Sequence, residues 1–167
     1  MRLHFRLTQN NQIVPFDYQS FLIGTFHKWM GWNTIHDNLS LYSLSWLQGG
    51  KKVKEGLDFP QGARWFISFW DEDTAKKLVQ GIMNEPSVCC GMQVNELQIQ
   101  NTPMFGNRER FVASSPIFIR KYDDNKKAIH LTYKSEEADY YLTETIKTKL
   151  KSVNLDYEVK IGFDRNY

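Results

Sequence analysis

Residues 15–47, PFDYQSFLIGTFHKWMGWNTIHDNLSLYSLSWL, set the frame for the whole chain. Pro15 and Asp17 offer a helix start. Tyr18, Phe21, Leu22, Phe26 and Trp29 then recur on one helical stripe, and Gly31 supplies a stop. Ser40 to Leu47 reads as a strand. On the N-terminal side, Arg2 to Leu7 alternates: Arg2, His4 and Arg6 on one face, Leu3, Phe5 and Leu7 on the other. That is the pattern of a half-buried strand. On the C-terminal side comes a Gly/Lys-rich loop, QGGKKVKEGLDFPQG, and then an aromatic strand from Arg64 to Trp70. DEDTAKKLVQGIMN opens with acids and carries Leu78, Val79, Ile82 and Met83 at helical spacing. Met92 to Gln100 alternates again as a strand.

The order is β-α-β-β-α-β, closing near residue 100. This is the ferredoxin-like (RRM-like) order, a four-stranded antiparallel sheet with both helices on one face and the other face open. The fold class expected is therefore α+β. A linker, NTPMFGNRER, ends at residue 110, and the elements restart. Ser114 to Lys121 and Lys127 to Tyr133 are expected to form a hairpin across Asp123-Asp124-Asn125. Ser135 to Lys151 reads as a helix, with acids at its start and lysines at its end that complement the helix dipole. Tyr157 to Phe163 reads as a last strand. The expected organisation is one domain over residues 1–110 and an incomplete second ferredoxin-like domain over 111–167. A half-domain leaves apolar surface to be covered by the first domain, by a second copy or by a partner.

Composition excludes several classes. The 167 residues are 41% hydrophobic and 24% charged, with a formal net charge of +2. No global field points to a polyanion, so a local patch would have to attract one. Cys89 and Cys90 are adjacent and are the only cysteines. They give no disulfide framework, and with the scattered histidines they give no zinc pattern, so no metal and no cofactor is expected. MRLHFRL lacks the apolar core of a signal peptide, and no run approaches a membrane span, so the chain reads as cytoplasmic.

His27 and His36 carry the chemical interest. Histidine both gives and takes a proton near neutral pH, and these two lie nine residues apart beside a helix end. His27 falls off the apolar stripe, roughly opposite Leu22. Gly24, one turn back, leaves room for a close approach. The plain alternatives are a solvated helix histidine for His27 and a turn histidine bonded to Asp37 or backbone for His36. Lys51, Lys52, Lys54 and Arg64 sit on or beside the long loop, where they read equally as a phosphate clamp or as a solvated basic loop. Arg120 is a weaker phosphate candidate. Trp29, Trp65 and Trp70 read as core, and Cys89 and Cys90 as small buried hydrophobes. No RNP signature is present.

The strand MRLHFRL, the segments VPFDYQSFLIGTFHKW and IHDNLSLYSLSWL, the stretch GLDFPQGARWFIS and the strand SSPIFIR resemble, in that order, the CRISPR-associated endoribonucleases that process precursor CRISPR RNA. These belong to the RAMP superfamily. The resemblance implies two ferredoxin-like domains and metal-independent cutting of repeat RNA through its own 2′-hydroxyl. The products would be a 2′,3′-cyclic phosphate and a 5′-hydroxyl. It implies that His36, in the loop after the first helix, and His27, near that helix's end, form the acid–base pair, with His27 at the helix end the candidate acid and His36 the candidate base. Some members add a lysine before the next strand, where this chain has Asn38-Leu39-Ser40. Lys28 or the Lys51/Lys52 pair are the candidates to replace it. The family's glycine-rich C-terminal loop has no counterpart before Tyr167, so the chain reads as a short or truncated member. The partners implied are CRISPR repeat RNA and either a second copy or other CRISPR effector subunits. An RNA-binding or assembly subunit without turnover is the alternative.

Overall fold

In the computed structural model, which describes residues 1–31, 40–113 and 117–166, the alternating RLHFRL forms strand β1 (Arg2–Leu7). Leu3, Phe5 and Leu7 are buried, and Arg2, His4 and Arg6 face the other way. Helix α1 (Gln19–Met30) follows and stops at Gly31, whose φ of +61° suits glycine. Then come β2 (Tyr42–Leu44), β3 (Lys51–Val53), β4 (Gly56–Asp58) and β5 (Arg64–Phe69). Helix α2 (Glu72–Asn84) starts at Asp71, whose carboxylate accepts the Thr74 amide at 2.7 Å, and β6 (Val94–Gln100) closes the set.

β2, β5, β1 and β6 form one antiparallel sheet in that order. Its register sets Phe5 opposite Trp65 and Leu3 opposite Ile67, all on the face that packs α1 and α2. Phe5, Trp29 and Trp65 meet there with ring centroids 5.4–6.1 Å apart. Leu22, Phe26, Leu78 and Ile82 fill the same core. The helices cross closely at Gly81, where a Cβ would lie 2.0 Å from the Trp29 carbonyl oxygen.

Three expectations change here. The strand expected over 40–47 keeps only Tyr42–Leu44. Beyond it the Ser45 carbonyl accepts the Trp65 indole N–H at 3.0 Å, and the Leu47 amide donates to the Tyr18 hydroxyl at 3.1 Å. Side chains thus take groups that a continued ladder would have used. The loop expected over 48–62 instead holds the β3–β4 hairpin, anchored by Val14 pairing with Leu57. Phe21 and Trp70, expected in the core, are 48% and 51% exposed. Phe21 falls at the margin of the α1 stripe, and Trp70 lies one residue past β5, at the turn into α2. Met83 on α2 is likewise exposed.

The chain divides into two units, Met1–Ser114 and Ser115–Tyr167. The second contains the hairpin β7 (Ile119–Tyr122) and β8 (Ala128–Leu131), followed by α3 (Glu137–Ser152). Asp123 closes the hairpin by accepting the Asn125 and Lys127 amides at 3.0 and 2.8 Å. Ile119, Ala138 and Thr143 are buried. The strand expected over 157–163 does not form: α3 side chains take its backbone bonds instead. Thr143 Oγ1 pairs with both the carbonyl and the amide of Ile161 at 3.0 Å, and Asp139 accepts the Phe163 amide at 3.1 Å. The chain is thus α+β, with antiparallel sheets and three helices among the described residues. None of those helices is long and apolar enough to cross a membrane.

Candidate functional site

The last turn of α1 carries His27 and Lys28, where the helix dipole favours positive charge. Expected off the apolar stripe, His27 is half-buried: its Nδ1 is shut from solvent and its ring meets Phe26 edge-on at 5.2 Å. Lys28 has a full set of acceptors. Its ammonium donates to Glu85 Oε1 at 2.8 Å, to the Ser87 carbonyl at 2.8 Å and to Ser87 Oγ at 2.9 Å. Lys28, and then the Ser87 hydroxyl, hold the Glu85 carboxyl below its ordinary range. The segment after α2 is pinned to α1 twice more: Trp29 Nε1 donates to the Glu85 carbonyl at 2.7 Å, and Thr25 Oγ1 to the Val88 carbonyl at 3.0 Å. His36 lies outside the described residues, as do Asn38 and Leu39.

The other candidates fall in separate places. Lys51 and Lys52 are exposed on β3, and Lys54 is exposed in the turn to β4. Lys52 Nζ stands 5.9 Å from the exposed Phe16 ring. Arg64 begins β5 on the sheet's open face, directly across from Arg6. Like charges set opposite each other on a sheet repel. Glu96 answers Arg6 at 3.3 Å on the next strand. Arg120 belongs to the second unit, exposed on β7, with its guanidinium 5.3 Å from the Tyr122 ring and His130 as its cross-strand neighbour. The structure therefore groups His27 with Lys28, groups the three hairpin lysines, and sets Arg64 on the side of the sheet away from α1.

The open face holds more than the basic residues pointed to. Arg2 lies over the Phe66 ring at 4.3 Å and donates from Nε to Ser68 Oγ at 2.9 Å. His4 Nε2 is 2.8 Å from Gln100 Oε1. His4, Phe66 and Gln100 line a trough of about 470 Å³ together with Arg6, Arg64 and Glu96. Phe66 is the member that sequence reasoning missed. The alternation of RWFISF, which sets Phe66 beside Arg64 and Ser68, is the signal that could have found it. Among the described residues, no group of three His, Cys, Asp or Glu side chains gathers to hold a metal.

No protein family model and no curated protein matches the chain. Solved structures do. The product of a Cas6-related gene from Pyrococcus furiosus is similar with a TM-score of 0.78 and 20% identity, over 92% of this chain and 71% of that one. A CRISPR-associated protein Cas6 is similar with a TM-score of 0.72 and 18% identity, over 96% and 73% of the two chains. A RAMP protein described as binding different RNA substrates gives a TM-score of 0.76 and 20% identity, over 92% and 72%. The chain has the fold of Cas6 and RAMP proteins. That is the group which the sequence resembles.

Proposed function

We propose that the protein is a metal-independent endoribonuclease that cuts CRISPR repeat RNA. The observation that carries this reading is His27 in the last turn of α1, half-buried, on a fold shared with Cas6 proteins. The finer fold follows the same line: the first unit is a ferredoxin-like domain, and the second an incomplete one. The sheet order β2-β5-β1-β6, with both helices on one face, supports the first of these.

In this reading His36 takes the proton from the 2′-hydroxyl. The 2′-oxygen bonds to phosphorus as the bond from phosphorus to the 5′-oxygen breaks, and His27 gives that oxygen its proton. The products are a 2′,3′-cyclic phosphate and a 5′-hydroxyl. As the acid, His27 enters the reaction as the imidazolium. In that form it also steadies the charged phosphorane. Lys51, Lys52, Lys54, Arg64 and Arg120 contact RNA phosphates. The protein works in the cytoplasm.

The test is cutting of CRISPR repeat RNA in EDTA. His27→Ala and His36→Ala each abolish cutting and leave binding at low salt intact, and the wild type gives a bell-shaped dependence of rate on pH. Cutting that depends on an added divalent ion, or survives both substitutions, sinks the mechanism. A second reading, an RNA-binding or assembly subunit without turnover, is favoured by Lys28. Its ammonium already donates to Glu85 and Ser87, which weighs against its serving in place of the lysine that some members carry before the next strand. Binding without cutting by the wild type would select it.

A further inference from the structure

We propose that the outer edge of β6 is a self-complementary interface, through which two copies of this chain join strand to strand into one continuous sheet. This stands apart from the RNA reading and does not depend on it.

The sheet has two edges, and they differ. β2 is three residues long, too short to template another strand. β6 runs seven residues, Val94–Gln100, without the lysine or proline that blunts an edge. Its irregularity against β1 falls at the Arg6/Leu7 end, so the ladder from Glu96 to Gln100 is regular. The bonding parity shows where the spare groups point. Met1 and Leu7 exchange main-chain bonds with Phe69 and Ala63, so the odd residues of β1 bond to β5 and the even ones to β6. Glu96, Gln98 and Gln100 therefore bond to Arg6, His4 and Arg2. Leu97 and Ile99 turn their N–H and C=O groups outward, and among the described residues no strand pairs with that side. Ile99 lies across from the buried Leu3, on the face that packs the helices, yet it is 60% exposed.

The occupant that this edge fits is the same strand, running antiparallel about a twofold axis at Gln98. In that register Leu97 stands opposite Ile99 of the second copy, and Ile99 opposite its Leu97. These are the residues whose outward groups can exchange main-chain bonds, and their side chains cover each other on the helix side. The open face matches as well. Gln100, whose Oε1 meets His4 Nε2 at 2.8 Å, keeps its amide N–H groups for Glu96 of the second copy. Gln98 gives one amide hydrogen to Glu96 at 2.6 Å and keeps its carbonyl and its other hydrogen for Gln98 of the second copy. No like charges fall opposite each other. An axis at Leu97 or at Ile99 would instead set an apolar side chain against Asn95 or Asn101. Two four-stranded sheets joined at Gln98 make one of eight, and the open faces that carry Arg64, Phe66 and His4 run on into each other.

Sedimentation of the whole chain across a concentration series tests the association, and cysteine cross-linking tests the register. The wild type should sediment as a dimer that dissociates on dilution. Ile99→Lys should weaken the dimer by at least about tenfold, since both copies lose the cover of that side chain. Its circular dichroism should not change, because the site is exposed. Ile99→Pro removes an outward N–H, leaves the β1 ladder intact and should act the same way. Gln98→Cys should give a disulfide-linked dimer on mild oxidation, because facing residues of a non-bonded pair stand about 4.5 Å apart at Cα. Gln100→Cys, which faces position 96 rather than itself, should not, and neither should the wild type with Cys89 and Cys90. A wild type that stays monomeric at its highest soluble concentration overturns the proposal. So does a dimer that survives both Ile99 substitutions, or one that Gln98→Cys fails to link.

Discussion

The two units are held together by different forces. In Met1–Ser114 the sheet has a helical layer against one face, and Tyr18, Phe5, Phe26, Phe59 and Trp65 are almost wholly buried. In Ser115–Tyr167 the buried set among the described residues is Ile119, Ala138 and Thr143, while Phe118, Tyr122 and Tyr140 are 80%, 59% and 63% exposed. Polar clamps do more of the work there. Arg165 makes a two-pronged bond to Asp139 at 2.9 and 3.0 Å and reaches the carbonyls of Tyr133 and Ser135 at 3.1 Å. Lys121 pairs with Glu137. One unit is ordered by apolar burial, which is not directional. The other depends on a few bonds of fixed geometry, each sensitive to charge state.

That contrast can be broken in steps. Trp65→Ala should cost the first unit about 3–5 kcal/mol, through a cavity and an orphaned Ser45 carbonyl, read by denaturant unfolding. Gly81→Ala should cost about 1–3 kcal/mol by forcing α1 and α2 apart, read as a fall in melting temperature. The second unit should answer to acid instead. Arg165, and then the Phe163 amide, hold the Asp139 carboxyl below its ordinary value of 3.8. An acid whose folded value is depressed contributes fully above its unfolded value and loses that contribution as pH falls through the folded one. Amide exchange in α3 should therefore quicken below about pH 4 by that linkage. Asp139→Asn should remove this acid step and loosen α3 at neutral pH. The smallest effect is expected at Tyr157, an exposed ring 4.4 Å from Lys151 Nζ. Tyr157→Ala should change stability by about 0.5 kcal/mol, as an exposed cation–π contact is worth. A larger loss would mean that the second unit has a core of its own.

The same contrast explains what could be read in advance. β1, the stop of α1 at Gly31 and the acid-led start of α2 were legible, because burial on one face writes period into sequence. Tyr157–Phe163 has the composition of a strand but lies on α3, where Thr143 and Asp139 supply bonds that no local pattern announces. The β3–β4 hairpin was hidden because its strands are short, its lysines are exposed and Gly56 interrupts the pattern. In the candidate site, the wheel placed His27 off the stripe but could not show that its Nδ1 is closed from solvent. The partners of Lys28 lie 57 and 59 residues along the chain, beyond any local pattern.

All five tryptophans, at 29, 32, 46, 65 and 70, fall in the first unit, and six of the eight tyrosines in the second. Excitation at the red edge of indole absorption therefore reports on Met1–Ser114 alone. The rings of Trp29 and Trp65 are 5.8 Å apart, near enough for their transitions to couple. That coupling should give a near-ultraviolet circular dichroism band that vanishes when α1 leaves the sheet. The unit that carries His27 thus has its own optical signal, readable without a label while the tyrosine-rich remainder stays silent.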